Sequence, residues 1–394
     1  MTRLTTNESA GTDKMLRMFD ELLQQRAQVY RAPGRVNIIG EHTDYNDGFV
    51  LPAAIDLDTR VVISPREDRK LLIHSESFSE QIEFDLDELT PMPRGHWSNY
   101  VLGVAVMLER AGYRLRGADL SVRSNVPIGA GLSSSAALEV AAGYALLESS
   151  GHKIDRLQLA KLCQGAENEF AGMRCGIMDQ FIACFGRAGH AMMLDCRSLE
   201  YRLVPLPGDV RLVVCNTMVK HELASSEYNR RRLECEVASM HLAGGQQGLG
   251  ALRDVTLTDL EHQGVDLDET LYKRCHHVIT ENARVQKAAS AIDRGDVEEV
   301  GVLMEESHRS LRDDYEVSCE ELDVMVELAG RVEGVYGARM TGGGFGGCTI
   351  NLVRSDCVDQ FKSEVMQGYQ RAAGIAPEIY DCATADGVGS LSKT

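Results

Sequence analysis

The sequence contains no CxxC pair, no internal repeat, no low-complexity tract and no uninterrupted apolar run that approaches membrane-spanning length. A helical membrane span is therefore not expected, nor a zinc ribbon. Proline is scarce, at 9 residues, and tryptophan occurs once; with 44% hydrophobic and 25% charged residues, this is the composition of an ordered globular chain. Disorder is expected only at ends such as "MTRLTTNESAGT" and "GVGSLSKT". Positive charge is also in deficit, since 41 Lys and Arg stand against 59 Asp and Glu and leave a net charge of -18. That balance opposes non-specific binding to nucleic acid or to an anionic membrane. Any anionic ligand must then be captured by local groups. The 11 cysteines are odd in number, irregularly spaced and often in apolar contexts such as "IACF" and "KLCQ", which suits free thiols in a reducing compartment. No signal-peptide pattern opens the chain, so a cytoplasmic protein is expected.

What is present is length and periodicity. At 394 residues the chain is long for one core, and two domains sharing an interface are expected, 1–200 and 201–394, with the boundary near "RLVPLPGD". Residues 13–28 place Leu16, Phe19, Leu22 and Leu23 on one helical face. Short strand-like runs follow ("VYRAP", "GFVLPAAI", "TRVVISP", "KLLIHSES", "QIEFDL"), then a helix at "SNYVLGVAVMLERAG", the strand "ADLSVRSNVP" and the Ala-rich helix "SAALEVAAGYALLESSG". Further helices fit 155–171, 222–242, 270–293, 297–313 and 319–331, and the strand-like "GARMTG", "CTINLV" and "PEIYDCA" surround a helix near 355–370. The pattern reads as α+β with antiparallel connections rather than a steady βαβ rhythm.

Three stretches carry chemistry. "GRVNIIGEHTDY" crowds Arg35, Asn37, Glu41, His42 and Asp44 around an apolar run. "NVPIGAGLSSSAAL" passes from strand through a Gly and Ser turn into a helix, whose first amides and positive dipole end suit a phosphate. It is not a P-loop, because no lysine follows Gly131, and it is not a dinucleotide fingerprint, because Ser134 stands where a third glycine belongs. A turn that merely joins strand to helix is the other reading. "MTGGGFGGCTI" holds five glycines in six residues, which fits either a tight hairpin or close backbone approach to a ligand. His276-His277 and the scattered cysteines lack zinc-site spacing.

Together these motifs resemble the GHMP small-molecule kinases, and among them the galactokinase family. "HWSNYVLGV", "ENEFAGMRCGIMDQF" and "LASSEYNRRRLECE" extend the resemblance over nearly the whole chain, while Asp47 departs from the glycine of many relatives. The resemblance implies a two-domain GHMP kinase fold, with an N-terminal domain like the second domain of ribosomal protein S5 and a ferredoxin-like C-terminal domain. It implies phosphorylation of the C1 hydroxyl of α-D-galactose by ATP with Mg²⁺, in a monomer or weak homodimer. Arg35 and Asp179 would be catalytic. Asp44 would meet the C3 and C4 hydroxyls, Glu41 and His42 would reach toward C6, and Tyr228 and the Gly176 backbone would add sugar contacts. Gly129, Ala130, Gly131, Leu132, Ser133, Ser134 and Ser135 would cradle the nucleotide phosphates, and Trp97, with Tyr100 on the same helix, would wall the adenine. Ser135 and Glu167 would hold Mg²⁺, a small share of ligands that suits an ion keeping several waters. The loose transition state of phosphoryl transfer lets Asp179 orient the hydroxyl and take its proton late. A related GHMP sugar kinase acting on N-acetylgalactosamine or L-arabinose is the nearest alternative, because selectivity at C2 or C5 depends on pocket volume, and a non-catalytic galactose sensor is another, although such sensors lack the Ser-Ala pair retained in "SSSAAL".

Overall fold

The computed structural model describes residues 27–391 except 89, 94, 154, 221–223 and 244–249. The helix expected over 13–28 lies outside the described residues as far as 26, and Gln28 already begins a strand. In chain order the elements are β1 (Gln28–Asn37), β2 (Phe49–Val50), β3 (Pro52–Pro65), β4 (Lys70–Ser75), β5 (Glu80–Asp85), α1 (Ser98–Arg110), β6 (Ala118–Ser124), α2 (Ser134–Ser149), α3 (Arg156–Ala166), α4 (Met178–Phe185), β7 (His190–Asp195), β8 (Tyr201–Pro205), β9 (Val210–Lys220), α5 (Ala224–Ala243), α6 (Leu257–Gln263), α7 (Glu269–Asp293), α8 (Val297–Asp313), α9 (Glu320–Gly330), β10 (Val335–Thr341), β11 (Gly346–Arg354), α10 (Val358–Ala373), β12 (Glu378–Cys382) and β13 (Gly389–Ser390).

A six-stranded sheet runs β13-β1-β3-β6-β4-β5 and is antiparallel except where β4 lies parallel to β6. A four-stranded sheet, β10-β11-β9-β12, is antiparallel throughout, and β2-β7-β8 forms a third, smaller one. The expected α+β class with mostly antiparallel pairing is therefore what the chain adopts. The alanines of α2 have a steric purpose: Ala137, Ala141 and Ala145 are buried and let the helix pack closely on β1 and β3. β11 is buried along almost its whole length, between β10 and β9, which is why its sequence reads as a near-continuous run instead of alternating.

The chain changes sheet between Pro205 and Val210, across "LPGD", and we propose that the boundary between the two halves belongs near residue 200. The last residues nonetheless return to the first half, with Thr384 bridging Ile55 and β13 pairing with β1. One buried cluster also spans both halves, joining Val36, Ile39 and Leu51 to Val285, Val300 and Ile350. Among the described residues no helix is long and apolar enough to cross a membrane.

Candidate active site

The loop from β1 to β2 turns on three left-handed residues, Gly40 (φ 107°), His42 (φ 63°) and Asp47 (φ 57°). The last of these accounts for the glycine of many relatives, because Asp is among the few residues that tolerate that conformation. Thr43 Oγ1 donates to the carbonyls of Gly40 (2.8 Å) and Phe49 (2.7 Å). From behind, α7 fastens the same loop: Glu281 accepts from the Gly40 amide and Asn282 from the Phe49 amide, each at 2.9 Å, and His277 Nε2 lies 3.2 Å from the Glu41 carbonyl. Sequence reasoning set His277 aside and missed Glu281 and Asn282; their one-turn spacing in "HHVITEN" was the available signal.

Arg35 and Asp179, 144 positions apart, form a two-pronged ion pair, Nε to Oδ1 and Nη2 to Oδ2, both at 2.8 Å. Arg35 Nη1 also donates to the Gly131 carbonyl. Ser133 is the N-cap residue of α2, with φ 59°, yet its side chain does not cap the helix; its hydroxyl donates to Asp179 Oδ2 instead. The first amides of α2 are thus left without a side-chain partner, and a bare helix start attracts anions.

Around this centre lies a cavity of about 410 Å³, lined by Phe78, Trp97 and Tyr100, by Gly129, Gly131 and Ser133 to Ser135, by Arg35, Asp179 and Glu167, and by Glu41, His42, Asp44 and Tyr228. Burial, reinforced by the charge of Asp179, raises the Asp44 carboxyl to about 6. His42 is kept neutral, held well below the usual imidazole range by burial and then by the neighbouring His277 and Arg231. Its Nδ1 meets the Tyr45 hydroxyl at 2.7 Å, and the Gly343 backbone lies beside the ring. The Tyr228 ring lies 5.4 Å from the His42 ring.

Several expected residues contribute differently from the sequence reading. Each Glu41 oxygen already holds two donors, Asn37 (2.7 Å) and Arg339 (2.6 Å) on one and Thr341 (3.2 Å) and the Gly342 amide (2.8 Å) on the other. Glu41 therefore fastens the second glycine segment to the first motif, as well as lining the cavity. Gly176 lies outside this cavity, in a recess of about 220 Å³ that it shares with Asp44. A Cβ at Gly176 would stand 2.1 Å from Asp44 Oδ2, so the glycine makes room for that carboxylate. The side chains of Ala130 and Leu132 are buried in the core and leave only their backbones for a ligand. The glycine clusters lie backbone against backbone: a Cβ on Gly342 would meet the Gly131 carbonyl at 2.7 Å, and one on Gly347 the Ala130 carbonyl at 2.8 Å. Close approach, and not a bare hairpin, accounts for the glycine density.

Trp97 is buried in the first core and also lines the cavity, its Nε1 donating to Glu80 at 2.6 Å. Phe78 lies parallel to it, with ring centres 5.7 Å apart, and was missed because a lone aromatic in "SESFSE" carries no periodic signal. Glu167 is buried, not on the surface; it stands at the start of a π-helical turn, Glu167–Ala171, that ends α3. Burial and the charge of Asp179 raise its carboxyl to about 7, with the Ser135 hydroxyl beside it as a donor. Asp179 pairs with Arg35 and Glu41 with Arg339, whereas among the described residues Asp44, Glu139 and Glu167 have no ion-pair partner. A buried carboxylate without a basic partner, next to a hydroxyl, is a fitting oxygen donor set for Mg²⁺. Among the described residues there is no group of three or more His, Cys, Asp or Glu placed to hold a metal.

A bare helix start, glycine segments packed behind it and a guanidinium–carboxylate fork beside a polar pocket define a small-molecule kinase of the GHMP class. The family profiles agree, with GHMP kinases N terminal domain matching residues 99–187 and GHMP kinases C terminal matching 288–369. The profile described as the galactokinase galactose-binding signature matches residues 17–65. The chain is 48% identical to the galactokinase of Roseiflexus sp. (strain RS-1), over 92% of this chain and 93% of that protein. It is 47% identical to the galactokinase of Thermotoga maritima, over 92% and 99%. The structure of Lactococcus lactis galactokinase complexed with galactose superposes with a TM-score of 0.91 at 39% identity, covering 98% of this chain and all of that one. Mevalonate kinase from Methanococcus jannaschii shares the fold alone, at 18% identity and a TM-score of 0.65. The chain belongs to the galactokinase family.

Proposed function

We propose that the residues of this cavity divide the labour of transferring a phosphoryl group from ATP to the C1 hydroxyl of α-D-galactose, giving galactose 1-phosphate and ADP. The activity is that of a galactokinase; the observation that carries the assignment of roles is the Arg35–Asp179 fork beside the bare start of α2. Asp44, His42 and Tyr228 read the sugar hydroxyls, and selectivity arises because a wrong epimer leaves such buried polar groups unpaired. The amides from Gly129 to Ser135 receive the phosphates, and Phe78 and Trp97 receive the adenine.

Asp179 Oδ2 carries two protein donors and Oδ1 only one, so Oδ1 has the freer lone pair for the C1 hydroxyl. As the new bond from the C1 oxygen to the γ-phosphorus forms and the bond to the bridging oxygen of ADP breaks, the hydroxyl proton passes to Oδ1. Arg35 stabilises the charge that develops, and removal of one such electrostatic donor costs about 10²–10³ in rate. Mg²⁺, when bound with ATP, would neutralise phosphate charge, and Ser135 and Glu167 are the residues that would hold it. The free cysteines, all buried except Cys319, suit the cytoplasm, and the protein is read as a monomer or weak homodimer that binds neither nucleic acid nor membrane.

ADP release from a mixture of protein, ATP, Mg²⁺ and galactose tests the reading. Asp179→Ala is expected to abolish release while galactose still protects the fold against heat; full activity in that variant would remove Asp179 from its role. Turnover on N-acetylgalactosamine or L-arabinose equal to that on galactose would overturn the choice of sugar.

A further inference from the structure

Glu139 stands on α2 one turn after Ser135, on the same face, and is fully buried. Its Oε2 accepts from the Gln180 side-chain amide at 3.0 Å, and the same nitrogen donates to Glu167 Oε2 at 2.6 Å. Gln180 is itself fully buried and follows Asp179 in α4. One neutral amide thus joins two carboxylates from two other segments. Glu139 Oε1 and Gln180 Oε1 are both enclosed without a hydrogen-bond partner. Enclosing an acidic side chain with no basic partner is costly. A leucine would fill the same space without that cost, so packing alone does not account for Glu139.

We propose that Glu139 is a positioning residue for the divalent cation of the site: through the Gln180 amide it holds Glu167 by Oε2 and so fixes the carboxylate beside Ser135, where the two would hold the ion. This rests on the reading of Glu167 as a cation ligand. Glu167 needs such a hold because it stands at the start of the irregular π-helical turn, where the α-helical hydrogen-bond pattern is interrupted. Among the described residues the other hydrogen bond to Oε2 is the weaker one from the Cys175 thiol, at 3.4 Å. The amide can aim one proton at Glu167 in a fixed direction only while an acceptor takes the other, and Glu139 is that acceptor.

The test is Mn²⁺ binding to the full chain loaded with a non-hydrolysable ATP analogue, followed by loss of the free-ion signal in electron paramagnetic resonance. Glu139→Met removes the acceptor at similar volume and is expected to weaken Mn²⁺ binding about 10–100-fold, as the loss of partners behind a metal ligand does. Galactose affinity, measured by calorimetry, stays unchanged in that variant. Glu139→Gln keeps an oxygen at the same reach and restores parent-like Mn²⁺ affinity. Gln180→Met cuts the link from its other end and should show the same loss, which keeps the proposal testable if Glu139→Met does not fold. Parent-like Mn²⁺ affinity in Glu139→Met or Gln180→Met overturns the proposal. If Glu167→Gln loses Mn²⁺ while those two do not, the inference fails and the role of Glu167 stands; parent-like affinity in Glu167→Gln removes that role and the inference with it.

Discussion

A methyl group added at Gly176 would lie 2.1 Å from Asp44 Oδ2 and 2.2 Å from its Cγ, inside the contact distance of any atom pair. Gly176→Ala must therefore displace the Asp44 carboxylate, which we propose reads the sugar hydroxyls. A displacement near 1 Å typically costs about 10²-fold in rate, so kcat/KM for galactose is expected to fall by that order while KM for ATP is unchanged; steady-state kinetics in both substrates check it. Asp44 also predicts a pH dependence. Burial and Asp179 raise its pKa to about 6, so the carboxylate proposed to accept hydrogen bonds from the sugar hydroxyls exists above that pH and is lost as pH falls through it. Galactose affinity, measured calorimetrically across about pH 6, should weaken on the acid side. Asp44→Asn should bind weakly on both sides with a flat profile, and a parent protein that binds equally well on both sides would remove Asp44 as the acceptor.

Helix α7 does not line the cavity, yet it sets the loop proposed to meet the sugar. Glu281 is fully buried and holds the Gly40 amide at 2.9 Å, Ser307 at 2.6 Å and Arg284 at 2.7 Å. Glu281→Ala leaves the largely buried Arg284 guanidinium and the Gly40 amide without their acceptor, and breaking a buried pair in this way costs about 3–5 kcal/mol. Urea denaturation should show that loss, and whatever protein stays folded should show a raised KM for galactose. The frame of α7 and α8 was legible in the sequence, because long amphipathic periodicity gave 270–293 and 297–313 against the observed Glu269–Asp293 and Val297–Asp313. The short strands β7 and β8 and the eight-residue α4 were not, since their identity comes from pairing and packing more than from their own pattern. The site divides in the same way. Motif residues that the cavity brings together, such as Arg35 and Asp44, could be read directly. The partner that occupies Glu41, Arg339, stands 298 positions away, and the buried Glu139 looks in sequence like any helical glutamate.

The two halves, expected as two domains with a shared interface, are joined by a common buried cluster and should not fold apart. Val36, Ile38, Ile39, Leu51 and Ile55 of the first half are buried together with Val285, Val300, Met304 and Ile350 of the second, and β13 completes the first sheet from the far end of the chain. Each large apolar side chain that loses its cover forfeits about 1.5–3 kcal/mol. A handful of such losses equals the whole stability of an ordinary domain, about 5–15 kcal/mol. A fragment spanning 1–200 should therefore fail to give a cooperative transition. The intact chain should unfold as one unit, and its single tryptophan allows a clean test, because Trp97 lies in a core drawn almost entirely from the first half whereas far-UV circular dichroism reports on both halves. Coincident urea transitions by the two probes are expected, displaced together to higher urea by galactose because loop 40–49 is held by α7 of the second half. Separated transitions, with galactose moving only the fluorescence curve, would show that the shared core does not couple the halves and that the sugar site belongs to the first half by itself.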